Sequence, residues 1–202
     1  MNVQQYQALL LIITGTLALI VASPALQRLL VYPQREFFTE MWLLGPDHMA
    51  ENYPFAVKKA ENLEFFLGIS NHLGYCAYYL IQVKFRNQTQ PAADSLNRTS
   101  STLPSLHTFN AFVANEETWE TPILCAIDFV QEDYEGTLLR VRVTNMTFND
   151  YFLDLKDFTM VWDAKRSGFF GDLFFELWIY NYTTGEFQYN ERSVGLWLNM
   201  TS

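Results

Sequence analysis

From Tyr6 to Gln27 the chain carries no charged side chain, and the stretch Ala8–Leu26 is apolar apart from Thr14, Gly15, Thr16, Ser23 and Pro24. A helix rises 1.5 Å per residue, so about 20 such residues cross a hydrocarbon core of roughly 30 Å. The pattern predicts one membrane-spanning helix, with Tyr6 and Tyr32 placed as interfacial aromatics. Gly15, between Thr14 and Thr16, gives that helix a small-residue face suited to packing on another helix. A cleaved signal peptide is the competing reading. It needs a basic start and a small-residue cleavage site. Here no Lys or Arg precedes Arg28, and Val21-Ala22-Ser23 runs into Pro24, so a retained anchor is expected.

Beyond residue 32 the period changes to two. Val31–Gln34 reads as a tether stiffened by Pro33, Glu36–Leu43 as a strand, and Gly45-Pro46-Asp47 as a turn, followed by irregular chain over 48–61. Leu63, Phe65, Leu67 and Ile69 alternate with Glu64, Phe66, Gly68 and Ser70, and Ala77, Tyr79, Ile81, Val83 and Phe85 form the next apolar face. Across the turn signal Asn71–Gly74 these two runs predict a hairpin. Asn87–Ser105 is rich in Asn, Gln, Ser, Thr and Pro and reads as a long exposed loop. Strands resume at 108–113 and 122–130, and Asp133–Gly136 turns the chain into Leu139, Val141 and Val143. Shorter pieces follow at Tyr151–Leu155 and Phe158–Trp162. A last hairpin sets Leu173, Phe175, Leu177 and Ile179 against Glu176, Trp178 and Tyr180, turns at Thr183–Glu186 and returns through Phe187–Tyr189 and Ser193–Leu198. Eight or nine short strands predict an Ig-like antiparallel β-sandwich over 33–202, preceded by the anchor at 1–32.

Composition sharpens this picture in three places. Aromatic residues make up 16% of the chain and charged ones 17%, which favours strands. A formal net charge of −9 repels phosphate backbones, so no nucleic-acid partner is expected. Five N-x-[ST] acceptors occur, at Asn87, Asn97, Asn145, Asn181 and Asn199, several of them at loops or strand ends. They imply covalent N-glycans and a domain on the extracellular side of the membrane. Arg28 and Arg35, just after the apolar run, weakly favour the opposite orientation, and the acceptors outweigh them.

Catalytic signatures are missing. The sequence has no GxSxG elbow, no phosphate-binding glycine loop and no HxH or HExxH pattern, and adjacent carboxylates such as Glu132/Asp133 face opposite ways in a strand. Of His48, His72 and His107, only His48 has carboxylates close by, Asp47 and Glu51, and a turn cap explains it better than a metal. No catalytic residue, metal or cofactor is therefore expected. The two cysteines, Cys76 and Cys125, leave one disulfide possible, though strand parity puts them on opposite faces. Most of the five tryptophans read as core. An outward subset, Trp178 with Tyr180 and Tyr182, offers a platform for a sugar or protein partner.

Three spaced motifs carry a family resemblance: Thr39-Glu40-Met41-Trp42-Leu43-Leu44-Gly45-Pro46, Ala50-Glu51-Asn52-Tyr53-Pro54 and Gly68-Ile69-Ser70-Asn71-His72. Their order and spacing resemble those of the archaeal DUF1616 family, which reads T-E-[FYW]-x-L-L-G-P, then A-E-x-Y-P, then G-[IV]-x-N-H. Met41 stands where the family has an aromatic, with Trp42 one place later. The resemblance covers about residues 36–85 and implies a membrane protein with an extracytoplasmic β-sandwich, without an established activity. On this reading Gly45 and Pro46 set a turn, Glu40 and Trp42 share one face with Met41 and Leu43 on the other, and Asn71 caps its turn. The expected function is a non-enzymatic binding module or an accessory subunit beside another membrane or cell-surface protein. A homo-oligomeric envelope component and an extracytoplasmic hydrolase of glycans or peptides stand as alternatives.

Overall fold

Helix α1 spans Val3–Leu29 in the computed structural model, which describes residues 3–29, 36–94, 96–134 and 137–200. The tether, Tyr32, Arg35 and positions 135–136 of the Asp133–Gly136 turn lie outside the described residues. The chain divides into two units, Met1–Glu36 and Phe37–Ser202. Within α1 the Thr14 and Thr16 hydroxyls donate to the carbonyls of Leu10 and Ile12, so both threonines of the apolar run are satisfied inside the helix. The window Tyr6–Ser23 has a mean hydropathy of 1.9, and the helix is long and apolar enough to cross a membrane.

The second unit is all β: β1 (Phe38–Leu44), β2 (Asn62–His72), β3 (Ala77–Arg86), β4 (His107–Val113), β5 (Glu117–Tyr134), β6 (Thr137–Phe148), β7 (Tyr151–Thr159), β8 (Trp162–Asp163), β9 (Gly168–Asn181) and β10 (Glu186–Asn199). They form two antiparallel sheets, one ordered β1-β2-β5-β6-β7 and the other β10-β9-β3-β4, with β8 paired to β9. The alternation read from sequence decides what lies between them. Leu63, Phe65, Leu67 and Ile69 of β2 meet Leu173, Phe175 and Leu177 of β9 in one buried core. Aromatic contacts cross the layers, Phe65 to Phe175 at 6.0 Å and Phe85 to Phe158 at 5.5 Å between ring centres. Each fully buried large side chain stabilises the fold by about 1.5–3 kcal/mol. The order β10-β9-β3-β4 matches the G-F-C side of an immunoglobulin domain. The other sheet differs: β5 takes the inner place beside β2, and β6 and β7 then step outward to the edge, whereas in an immunoglobulin domain the outer strand precedes the inner one.

One sequence expectation is corrected here. β2 and β3 do not form a hairpin; β2 pairs with β1 and β5, β3 with β4 and β9, and the link after His72 crosses from one sheet to the other. Period-two alternation gives a strand's face and says nothing about its partner. The segment 87–105 is a loop with most of its described residues exposed, as expected, but it is anchored. It folds over the outer face of β9, and Asn87 and Ser101 are buried. Beneath it the Lys84 ammonium and the Glu176 carboxylate pair at 2.8 Å with side chains 3% and 0% exposed. Lys84 Nζ also donates to the Ser101 carbonyl, and the Ser101 amide donates to Glu176 Oε1. Both carboxylate oxygens and two of the three ammonium protons are thus hydrogen-bonded, the compensation that a buried pair requires. This cover explains why β9 is buried on both faces from Gly168 to Leu177.

The cysteines are unbridged. Cys125 pairs across the sheet with Leu63 near the start of β2, whereas Cys76 follows its far end. Nine residues at about 3.3 Å each put the two ends of β2 about 30 Å apart, well beyond disulfide reach. Burial pushes the Cys125 thiol up to about 12. Ellman's reagent at pH 8 is therefore expected to titrate one thiol per native chain, Cys76, and two after denaturation. Lys84→Met, which strands the Glu176 charge, is expected to lower unfolding free energy by about 3–5 kcal/mol. Lys84→Met with Glu176→Leu recovers most of that loss in urea denaturation.

Candidate functional site

The motif residues converge on the outer face of the first sheet. Across β1, β2 and β5 the rows run Phe38–His72, Glu40–Ser70–Thr118 and Trp42–Gly68–Glu120. Gly68 has a steric reason: a Cβ there would overlap the Trp42 indole, which lies flat on it. Gly45 is similar, since a Cβ would run into the Glu51 carbonyl. Glu40 and Trp42 do share the outer face while Met41 and Leu43 face the core, as expected.

One constellation on this face escapes a motif search. Ser70 Oγ lies 2.9 Å from His72 Nε2, and His72 Nδ1 lies 2.9 Å from Glu116 Oε2. A carboxylate accepts, so Nδ1 carries a proton, and Nε2 shares the second hydrogen bond with the serine hydroxyl. These are the atoms and the order of a hydrolase triad. The surroundings differ. Ser70 is 5% exposed, on a flat sheet between β1 and β5, and its hydroxyl also receives a bond from Thr118 Oγ1 and reaches the Glu117 carbonyl. Phe38 stacks on the His72 ring at 4.6 Å. Position 70 is, moreover, the free one in G-[IV]-x-N-H. The chain of bonds pins β2 to the β4–β5 turn. His48 makes a parallel pair, its Nδ1 2.8 Å from Glu120 and its ring stacked on Phe66 at 3.7 Å.

Asn71 points the other way, into the core, and is fully buried. Its Nδ2 donates to the carbonyls of Tyr75 and Val113, and its Oδ1 accepts from the Leu73 amide and the Tyr79 hydroxyl. It caps the turn as expected and also ties in β3 and the end of β4.

The second sheet's outer face carries the strongest binding geometry. At the end left uncovered by segment 87–105, four rings stand in register on four strands: Phe187, Tyr180, Tyr78 and Phe112. Tyr78 stacks on Phe112 at 4.1 Å with planes 9° apart, and lies 5.3 Å from Phe187 and 6.0 Å from Tyr180. Phe112 is 71% exposed and Tyr180 38%. Of the residues expected from sequence, Tyr180 belongs to this row. Tyr182 lies beyond it at the hairpin turn and is 84% exposed. Trp178 sits one row inward, half-buried beside Tyr189, and its indole N–H is buried without an acceptor among the described residues. Tyr78, Phe112 and Phe187 were missed because single-strand parity cannot show that rings on different strands line up. Next to the row, Tyr75, Tyr180, Asn181, Tyr182 and Gln188 line a pocket of about 320 Å³.

The five acceptor asparagines are dispersed. Asn97 is exposed at a turn, its Nδ2 donating to Asp94, and Asn181 is half-buried at the end of β9, its Nδ2 donating to Gln188. Asn145 and Asn199 are half-buried on β6 and β10. Asn87 is 7% exposed, donates to the Thr159 carbonyl and accepts from Thr89. No cluster of three metal-ligating side chains occurs among the described residues.

With this geometry in hand, comparison of sequences settles the kinship. The sequence model described as "Domain of unknown function (DUF1616)" matches residues 33–144, more than half of the chain and all of the motif face from β1 to β5. The chain belongs to the DUF1616 family. No curated protein matches it. Solved structures similar to this DUF1616 chain include a beta-glucosidase from Listeria innocua. Its glucose complex aligns at 9% identity and a TM-score of 0.38, covering 82% of this chain and 16% of that one. Its gluconolactone complex aligns at 9% and 0.36, with the same coverage. The chain spans about a sixth of that enzyme's length, and a likeness at this level carries no argument.

A fluorophosphonate probe separates a pinning serine from a nucleophile. The native protein is expected to remain unlabelled at Ser70, and Ser70→Ala to lose about 1 kcal/mol of stability through its hydrogen bonds. Stoichiometric labelling that Ser70→Ala abolishes would make it a nucleophile.

Proposed function

We propose that this DUF1616 protein is a membrane-anchored, N-glycosylated module on the outer surface of the cell, and that it works by binding a neutral glycan. The observation that carries this reading is the in-register row Phe187–Tyr180–Tyr78–Phe112. Tyr78 lies 5.3 Å from Phe187 and 4.1 Å from Phe112, so the four ring centres form a compact patch on the sheet. A patch of this size suits one or two sugar rings and is small beside the ~800 Å² per partner that a stable protein interface buries. Aromatic faces give a sugar's apolar C–H surface a desolvated seat. The amides of Asn181 and Gln188 at the edge offer hydrogen bonds to hydroxyls, and no ring position is charged. An anionic polymer is disfavoured by the net charge of −9.

The apolar helix, the exposed acceptor Asn97 and the acceptor Asn181 beside the β9–β10 turn support an extracellular domain. The closed environment of Ser70 supports binding over catalysis. Affinity electrophoresis of the detergent-solubilised full chain tests the ligand. Mannan or hydroxyethyl cellulose in the gel is expected to retard it and polygalacturonate to leave it unmoved. Tyr180→Ala and Phe112→Ala, both at exposed positions, are expected to cut the retardation at least about tenfold, the equivalent of 1.4 kcal/mol. Equal mobility in every gel, or equal retardation of the variants, sinks the glycan reading. Glycopeptide mapping from the native host is expected to find sugar at Asn97 or Asn181 and none at Asn87, and bare asparagines throughout would overturn the extracellular placement.

A further inference from the structure

The two sheets end in four edge strands, β1 and β7 in one and β10 and β4 in the other. An unpaired edge invites another chain, and proteins guard against this with charge, bulges or covering side chains. Three of the four edges are guarded. On β1 the Thr39 carbonyl accepts from Arg192 and the Leu43 carbonyl from the Tyr53 hydroxyl, and Glu40 stands exposed on the strand. β7 carries Asp154 and Lys156, the latter at a φ of 51°, and its register with β6 shifts. β10 is bulged between Tyr189 and Arg192 with Glu191 at a φ of 60°, and bridges Ala56 at its far end.

β4 has none of these devices. His-Thr-Phe-Asn-Ala-Phe-Val contains no Asp, Glu, Lys, Arg, Gly or Pro, and it pairs with β3 through seven residues without a register shift. Its outward side chains Thr108, Asn110 and Phe112 are exposed. Among the described residues its backbone receives two outside side-chain hydrogen bonds, both at its ends, from Ser105 Oγ to the His107 carbonyl and from Asn71 Nδ2 to the Val113 carbonyl. None of the five acceptor asparagines lies on it. On a chain with a net charge of −9, this uncharged, straight edge is the one of the four edge strands at which a second copy can approach without meeting a charge on the strand itself.

We infer that two copies of this chain pair antiparallel through β4, making one continuous eight-stranded sheet. Identical antiparallel strands are self-complementary about a two-fold axis. With the axis at Asn110, the middle of β4, Phe112 of each copy stands beside Thr108 of the other, an aromatic–β-branched pair of the kind that stabilises sheets. The exposed ring is thereby partly covered, and the two aromatic rows lie on the same face of the joined sheet. This pairing does not require the glycan reading.

Light scattering of the full chain in a non-ionic detergent, corrected for the micelle, tests it. The protein mass is expected to be that of a dimer, tightening as salt screens the repulsion between acidic bodies. Thr108→Lys gives the edge the lysine guard that unpaired edges use and replaces the β-branched contact to Phe112 of the other copy, and it is expected to raise the dimer dissociation constant at least about tenfold. Thr108→Val keeps the dimer and controls for folding. Thr108 lies outside the aromatic row, so Thr108→Lys is expected to keep polysaccharide retardation per chain, which separates loss of pairing from loss of ligand binding. A monomeric wild type overturns the inference. So does a dimer indifferent to Thr108→Lys, since that dimer is held elsewhere.

Discussion

The side-chain amide of Asn71 is the fixed point of the β unit. It is fully buried between the sheets and uses both its donor and its acceptor on four different partners. Removing it would leave the Tyr75 and Val113 carbonyls and the Leu73 amide facing an apolar core, at about 1–3 kcal/mol for each unsatisfied group. Because those partners belong to the link after β2, to β3 and to the end of β4, the same amide makes the chain leave one sheet and enter the other. The family motif G-[IV]-x-N-H ends on this device: its glycine seats Trp42, its asparagine turns the chain inward, and its histidine ties the turn before β5 from outside.

Once the chain has crossed, the two outer faces acquire different properties. On the first sheet the polar groups satisfy one another, Ser70 with His72, His72 with Glu116 and His48 with Glu120, under stacked Phe38 and Phe66. That face is internally occupied. On the second sheet, segment 87–105 lies over one end and buries the Lys84–Glu176 pair, with Arg86 and Asp172 paired at 2.8 Å alongside. The cover stops short of the β9–β10 hairpin. What remains open is the aromatic end, so the buried ions and the open rings are two consequences of where one polar segment comes to rest.

Burial separates chemically identical groups in the same way. Cys125 lies in the core, its thiol pushed up to about 12, and Cys76 lies in solvent at the other end of β2. Asp172 is held above the ordinary carboxylate range by burial, with Arg86 pulling it back down. The tight seat of Asp172 needs Gly195, where a Cβ would press on its Oδ1.

Much of the fold was legible in the residues. Period-two alternation located the strands of the core to within a few residues, because a strand buried on one face must repeat its apolar side chain at every second position. The apolar run Ala8–Leu26 specified the helix for a comparable reason, since any polar group in it must be satisfied internally. Tyr180 and Tyr182 could be named as outward because parity is a local property. The pairing of β2 with β5 in place of β3, the burial of Asn87, the Ser70–His72–Glu116 chain and the alignment of Tyr78, Phe112 and Phe187 with Tyr180 are of another kind. Each joins residues from different strands or segments, and register between strands is set by the packing of whole layers. The sequence by itself determined which side chains leave the solvent; the tertiary structure alone decided which of them meet, because a side chain's direction is fixed by its own backbone and its neighbours by everyone else's.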